Sequence, residues 1–70
     1  MTIKPGEKYK IYYAGKIREA IVTAIVQGEW GSVNIVWKYK LSLWGWSGEQ
    51  VYPKDAFKLL FGETIESVEI

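Results

Sequence analysis

S-V-N-I-V-W-K-Y-K-L-S-L-W-G-W, residues 32–46, alternates between two kinds of side chain. Val33, Ile35, Trp37, Tyr39, Leu41 and Leu43 take the odd positions. Ser32, Asn34, Lys38, Lys40 and Ser42 take the even ones, with Val36 the exception. A period of two marks a strand with one face buried and the other in water. At about 3.3 Å per residue the run would span roughly 40 Å if straight. That exceeds most strands, so it is expected to bend or fold back. Strand three is placed at 32–40 and strand four at 41–46 or a few residues later. The first part reads as scaffold, with Trp37 in the core beside Val33, Ile35 and Leu41. The second part, from Lys40 to Trp46, meets glycine and reads as the part that touches a ligand.

Upstream, Pro5-Gly6 is a turn signal. E-K-Y-K-I-Y-Y, residues 7–13, alternates as a first strand, with Tyr9, Ile11 and Tyr13 on one face and Lys8, Lys10 and Tyr12 on the other. Ala14-Gly15-Lys16 is a short turn in which Gly15 can take a positive φ. I-R-E-A-I-V-T-A-I-V-Q, residues 17–27, offers helical spacing at Ile17, Ile21, Val22 and Ile25. Its Ile/Val/Thr density, its glycine-bounded ends and the short link from strand one favour a strand. Both of its faces read apolar in the second half, as in a central strand that bends across a barrel. Residues 27–31 form a two-glycine turn that leaves Trp30 out of the core. Met1 to Lys4 is a frayed end or an edge extension.

Downstream, S-G-E-Q at 47–50 is a turn. In V-Y-P-K-D-A-F-K-L-L-F, residues 51–61, Pro53 pushes Tyr52 to extended geometry. Pro-Lys-Asp-Ala suits one turn of 3₁₀ helix. Phe57, Leu59 and Phe61 then alternate as a short closing strand that Gly62 ends. The expected fold is all-β, a five- to six-stranded bent barrel over 1–62, with 63–70 an acidic tail or edge strand.

Seventy residues make one domain, near the lower limit for a chain without staples. Cysteine and histidine are both absent. That removes disulfides, the usual zinc ligands and the common nucleophilic triads. The frame of a phosphate-binding loop is missing from W-G-W-S-G-E. No catalytic, metal or cofactor function is expected. Eleven aromatic residues, each able to bury about 150–250 Å², can build a tight core. No run approaches the roughly 20 apolar residues of a membrane span, and the first residues lack a signal-peptide core. A cytoplasmic or other intracellular protein with no membrane partner is the expectation.

The formal charge of +1 hides an asymmetry. Residues 1–60 hold nine basic and five acidic groups, a net of +4, and residues 61–70 hold three glutamates and no base. A basic body suggests an anionic partner, though a solvated surface with an acidic end has the same composition. Trp30 and Trp46, next to glycine or serine, are expected to be exposed. If the register continued, Lys38 and Lys40 would share a face with Trp44 and Trp46. Lys8, Lys10 and Tyr12 would form the matching face of strand one. Lysines interleaved with rings suit nucleic acid, since phosphates meet the charges and bases stack on the rings. Lys8, Lys10, Tyr12, Arg18, Trp30, Lys38, Lys40, Trp44 and Trp46 are the candidate contacts. DNA or RNA is the first expected partner. A protein is the second, because aromatic residues are enriched at interfaces. A homodimer is one form that interface could take.

G-E-K-Y-K-I-Y-Y-A-G-K at 6–16, A-I-V-T-A-I at 20–25, V-N-I-V-W at 33–37 and V-Y-P-K-D-A-F-K-L-L at 51–60 occur in an order that resembles Src-homology-3-type small barrels. The likeness spans about residues 6–61 and is one of topology. Tudor-type members hold methylated lysine or arginine in an aromatic cage, and Tyr12, Tyr13, Trp37, Tyr39 and Trp44 fall near the corresponding places. Small archaeal chromatin barrels are similar in size and bind the DNA minor groove, but are richer in lysine and end in a helix. Integrase-type C-terminal barrels and phage-type inhibitors of larger enzymes are looser parallels. The resemblance implies a non-enzymatic binding module.

Overall fold

The computed structural model describes residues 2–61 and 67–68. Its elements are β1 (Thr2–Ile3), β2 (Lys8–Tyr13), β3 (Lys16–Gln27), a 3₁₀ turn (Glu29–Gly31), β4 (Val33–Ser42), β5 (Gly45–Trp46), β6 (Gln50–Pro53), α1 (Lys54–Leu59) and β7 (Ser67–Val68). The fold is mostly β. Its main sheet is antiparallel, in the order β2-β3-β4, with β5 and β6 sharing the far edge of β4. The sheet is open, since among the described residues no strand pairing joins β2 to β5 or β6. Thr2–Ile3, expected to be frayed or an edge extension, does not extend the main sheet: it pairs in parallel with β7 in a separate two-stranded sheet, and Ile3 is fully buried in the core. Of residues 63–70, expected as an acidic tail or edge strand, 67–68 form β7, paired with β1 apart from the main sheet, and the rest lies outside the described residues. Among the described residues no helix is long and apolar enough to cross a membrane.

The β2–β3 hairpin turns through Ala14 (φ 53°) and Gly15 (φ 84°), between the pair Tyr13↔Lys16. Two successive positive φ values match the twist of the flanking strands. This turn fixes the register, so Tyr9, Ile11 and Tyr13 face inward while Lys8, Lys10 and Tyr12 lie opposite Ile21, Glu19 and Ile17 on the outer face.

β3 contains the decisive irregularity. Its register with β4 shifts between Val22 and Ala24, so Val22 pairs with Trp37 while Ala24 pairs with Val36. Thr23 is the extra residue of a bulge. Its hydroxyl lies 3.2 Å from the Val36 carbonyl and 2.9 Å from Glu49 Oε2, and donates to one or the other. Before the bulge Ala20 and Val22 are buried; after it the parity flips and Ile25 is buried. The helix-like spacing of apolar residues in 17–27 is thus two strand phases joined by one inserted residue.

The core comprises Ile3, Ile11, Ala20, Val22, Ile25, Ile35, Trp37 and Phe57. Trp37 is fully buried, as the alternation predicts. Residues 57–61 do not form the expected closing strand, nor is the turn before them 3₁₀. Residues 54–59 are α-helical, entered from Pro53, with Asp55 in the first turn and Lys58 in the last. Those charges complement the helix dipole. Phe57 is buried against Trp37 and Phe61, at centroid distances of 5.5 and 5.2 Å, while Leu59 is exposed. The end of the helix is tied to the sheet edge, where the Tyr12 amide donates to the Leu60 carbonyl at 2.8 Å.

The opening stretch also divides differently from the expectation. β4 runs unbroken to Ser42, turns through Leu43-Trp44 and returns as the two-residue β5. Ser47 joins this return to the sheet, its amide donating to the Tyr39 carbonyl at 2.7 Å and its hydroxyl accepting from the Tyr39 amide at 3.0 Å. Leu41 and Leu43, expected on the buried face, are exposed. The β3–β4 ladder ends at Ala20↔Tyr39, and both strands continue past the buried core.

Candidate functional site

Lys38 and Lys40 leave the outer face of β4 as even-numbered neighbours of the buried Trp37. The fold-back after Ser42 sets Trp46 directly opposite Lys40. The Lys38 ammonium stands 6.0 Å from the centroid of the Trp46 ring. Lys8, Lys10 and Tyr12 join the same face from β2, across Ile21, Glu19 and Ile17 of β3. The structure therefore brings together Lys8, Lys10, Tyr12, Lys38, Lys40 and Trp46.

Arg18, Trp30 and Trp44 lie elsewhere. Arg18 alternates to the inner side, where Nε donates to the Tyr13 carbonyl at 3.0 Å and the guanidinium lies over the Tyr39 ring, 5.2 Å from its centroid. Trp44 does not share the lysine face, because the strand register stops at the turn. It sits at the tip of the β4–β5 hairpin, 94% exposed. Trp30 lies in the β3–β4 connection, at the opposite end of the strands, and is 99% exposed.

The outer face carries one carboxylate among its lysines. Glu19 lies 3.6 Å from Lys8 through Oε1 and 3.6 Å from Lys40 through Oε2. Both pairs are partly exposed, so each contributes little to stability. Glu19 holds the two ammonium groups in place across the strands and neutralises part of their charge.

Two shallow troughs border this face. One, of about 450 Å³, is lined by Lys8, Tyr9, Lys10, Ile17, Arg18 and Glu19. The other, of about 300 Å³, lies where β3 and β4 have stopped pairing, and includes Lys16, Lys40, Leu41 and Leu43. They share Ile17, Arg18 and Glu19, so the two troughs adjoin along the start of β3. Reading single strands missed Glu19 and Ile17. Their place was legible only from the hairpin register, which sets Ile17 opposite Tyr12 and Glu19 opposite Lys10.

The inner aromatic residues form a separate group. Tyr13, Tyr39 and Tyr52 surround Trp37 with centroids 5.2, 5.8 and 5.3 Å away. A hydrogen bond with Tyr52 raises the Tyr13 pKa above the ordinary tyrosine value; burial and repulsion from Tyr52 add to this, and Arg18 opposes it. These rings do converge, but Arg18 already takes a face of Tyr39. Tyr12 and Trp44 are not among them. Among the described residues no three acidic side chains gather where they could hold a metal ion.

Comparison with known protein families, with curated proteins and with solved structures gives no match to this chain, in sequence or in fold.

Proposed function

We propose that the chain is a non-enzymatic binding module that holds nucleic acid on the outer face of a sheet wound in the manner of a Src-homology-3-type barrel. The charge distribution carries this reading. The outer face gathers four of the nine basic residues, Lys8 and Lys10 from β2 and Lys38 and Lys40 from β4, around the carboxylate of Glu19. Phosphates gain from such a cluster by releasing counterions, and the Trp46 and Tyr12 rings beside it offer stacking faces.

The test is a titration of labelled single-stranded and duplex DNA and RNA across a salt series, read by fluorescence anisotropy. Affinity is expected to fall steeply with salt. Lys10→Ala and Lys38→Ala should each weaken binding for all sequences alike and reduce the salt slope by about 1. Absence of binding to every probe at low salt would sink the proposal. A protein partner is the second reading, favoured by the exposed Leu43 and Trp44 at the hairpin tip. Weak salt dependence, with loss of binding in Trp44→Ala, would be its signature.

A further inference from the structure

Exposed apolar side chains are not spread evenly over the molecule. Among the described residues, five of the nine large ones that are exposed, Tyr12, Ile17, Leu41, Leu43 and Trp44, sit near the two hairpin turns at one end. Ile17 is 71% exposed and Leu43 83%. The β3–β4 ladder stops at Ala20↔Tyr39, short of that end, and the trough of about 300 Å³ lies between the two strands beyond it. Its lining interleaves charge with hydrocarbon, since Lys16 precedes Ile17 and Lys40 precedes Leu41. The tip of the β4–β5 hairpin adds the Trp44 ring, and Tyr12, opposite Ile17, adds a second ring on the β2 side.

We propose that the nucleic acid held here is single-stranded, and that its unpaired bases lie across the hairpin end against Tyr12, Ile17, Leu43 and Trp44 while its phosphates meet the lysines beside them. This rests on the reading of the outer face as a nucleic-acid site and names the form of nucleic acid it takes. A single strand presents an anion and an apolar plane in every nucleotide. It can therefore satisfy neighbouring ammonium and hydrocarbon groups together, its bases covering rings and aliphatic side chains while its phosphates release counterions.

A duplex turns its phosphates outward and keeps its bases stacked inside. It would meet the lysines but leave the apolar hairpin end in water, or else have to unstack base steps at a cost in free energy. Charge alone is also a modest attraction on this face, because Glu19 lies 3.6 Å from both Lys8 and Lys40. Contact with the exposed apolar groups supplies the remainder, and only unpaired bases reach them.

Fluorescence anisotropy at fixed salt tests this with a labelled single strand, a strand of the same length made abasic throughout, and the first strand annealed to its complement. The single strand should bind about tenfold more tightly than either of the others. Trp44→Ala and Leu43→Ser should each lower single-strand affinity about fivefold or more, with duplex affinity and the salt slope unchanged. Both side chains are exposed, so the thermal melt should not move. Trp44→Phe keeps a stacking face and should retain most of the preference. Should the hairpin-tip variants fail to fold, Ile17→Ser, across the same trough, carries the same expectation. Duplex or abasic binding as tight as that of the single strand overturns the proposal and leaves the nucleic-acid reading in place, as does a preference that survives in all three variants. Absence of binding to every probe removes both.

Discussion

Trp30 holds a left-handed backbone (φ 61°, ψ 28°) and displays nearly its whole ring to solvent. Both are unfavourable for a chain that needs only to fold. The conformation costs a residue bearing a Cβ about 1–2 kcal/mol, and an exposed indole forgoes its burial. The turn is nevertheless well tied, with the Gly28 amide donating to the Ser32 carbonyl at 2.8 Å and the Ser32 hydroxyl to the Glu29 carbonyl at 2.8 Å. Trp30→Gly relieves the strain but adds freedom to the unfolded chain. The expected result is a stability unchanged or raised by up to about 1 kcal/mol, read from denaturant unfolding. A loss larger than 1 kcal/mol would mean that the ring is structural. Trp37 is the opposite case. It is enclosed by rings, and its buried Nε1 has no hydrogen-bond partner, a cost of about 1–3 kcal/mol. Its ring contacts with Tyr13, Tyr52 and Phe57, at centroid distances of 5.2, 5.3 and 5.5 Å, work against that cost.

At the scale of elements, α1 shows how a short apolar run can follow two periods at once. Phe57, Leu59 and Phe61 alternate, but Phe57, Leu60 and Phe61 also lie on one helical face. The structure takes the helical solution, and Leu60 and Phe61 pack against the core while Leu59 faces water. Leu59→Lys should therefore change stability by less than about 0.5 kcal/mol, whereas Phe57→Ala should cost about 3–5 kcal/mol. Equal losses in chemical denaturation would restore the strand reading. Where one period ran without competition, the elements were legible. Lys8–Tyr13 and, Val36 apart, Val33–Tyr39 alternate, and both are strands with the predicted faces. The β4–β5 turn was illegible because Leu43 and Trp44 lack positive φ and so need no turn residue; the Ser42 hydroxyl instead accepts from the Trp44 amide at 3.3 Å. The lysine face could be read from the parity of residues 8–12 and 38–40. Continuing the register also places Trp46 on it, but the residue arrives through the fold-back after Ser42, half-buried rather than exposed.

For the whole molecule, the long axis of 37 Å against 21 and 18 Å reflects strands that outrun their core. The ends so formed differ in chemistry. The hairpin end gathers cations and exposed apolar side chains, and Glu19 is the carboxylate restraining two of those cations. Glu19→Gln raises the formal charge from +1 to +2 and frees Lys8 and Lys40. The expected outcome is tighter nucleic-acid binding with a steeper salt dependence, and a stability change below about 1 kcal/mol because the pairs are partly exposed. Unchanged affinity in the anisotropy titration would move the binding surface away from this face.

The bulge at Thr23 has an effect beyond the core it helps to pack. Its position opposite the step from Trp37 to Val36 coincides with the point where the outward side chains change from lysine to valine. One bulged residue thus marks a frontier within a five-stranded sheet. A domain too small for two lobes acquires two separate territories, one rich in lysine and one in valine, on a single continuous wall.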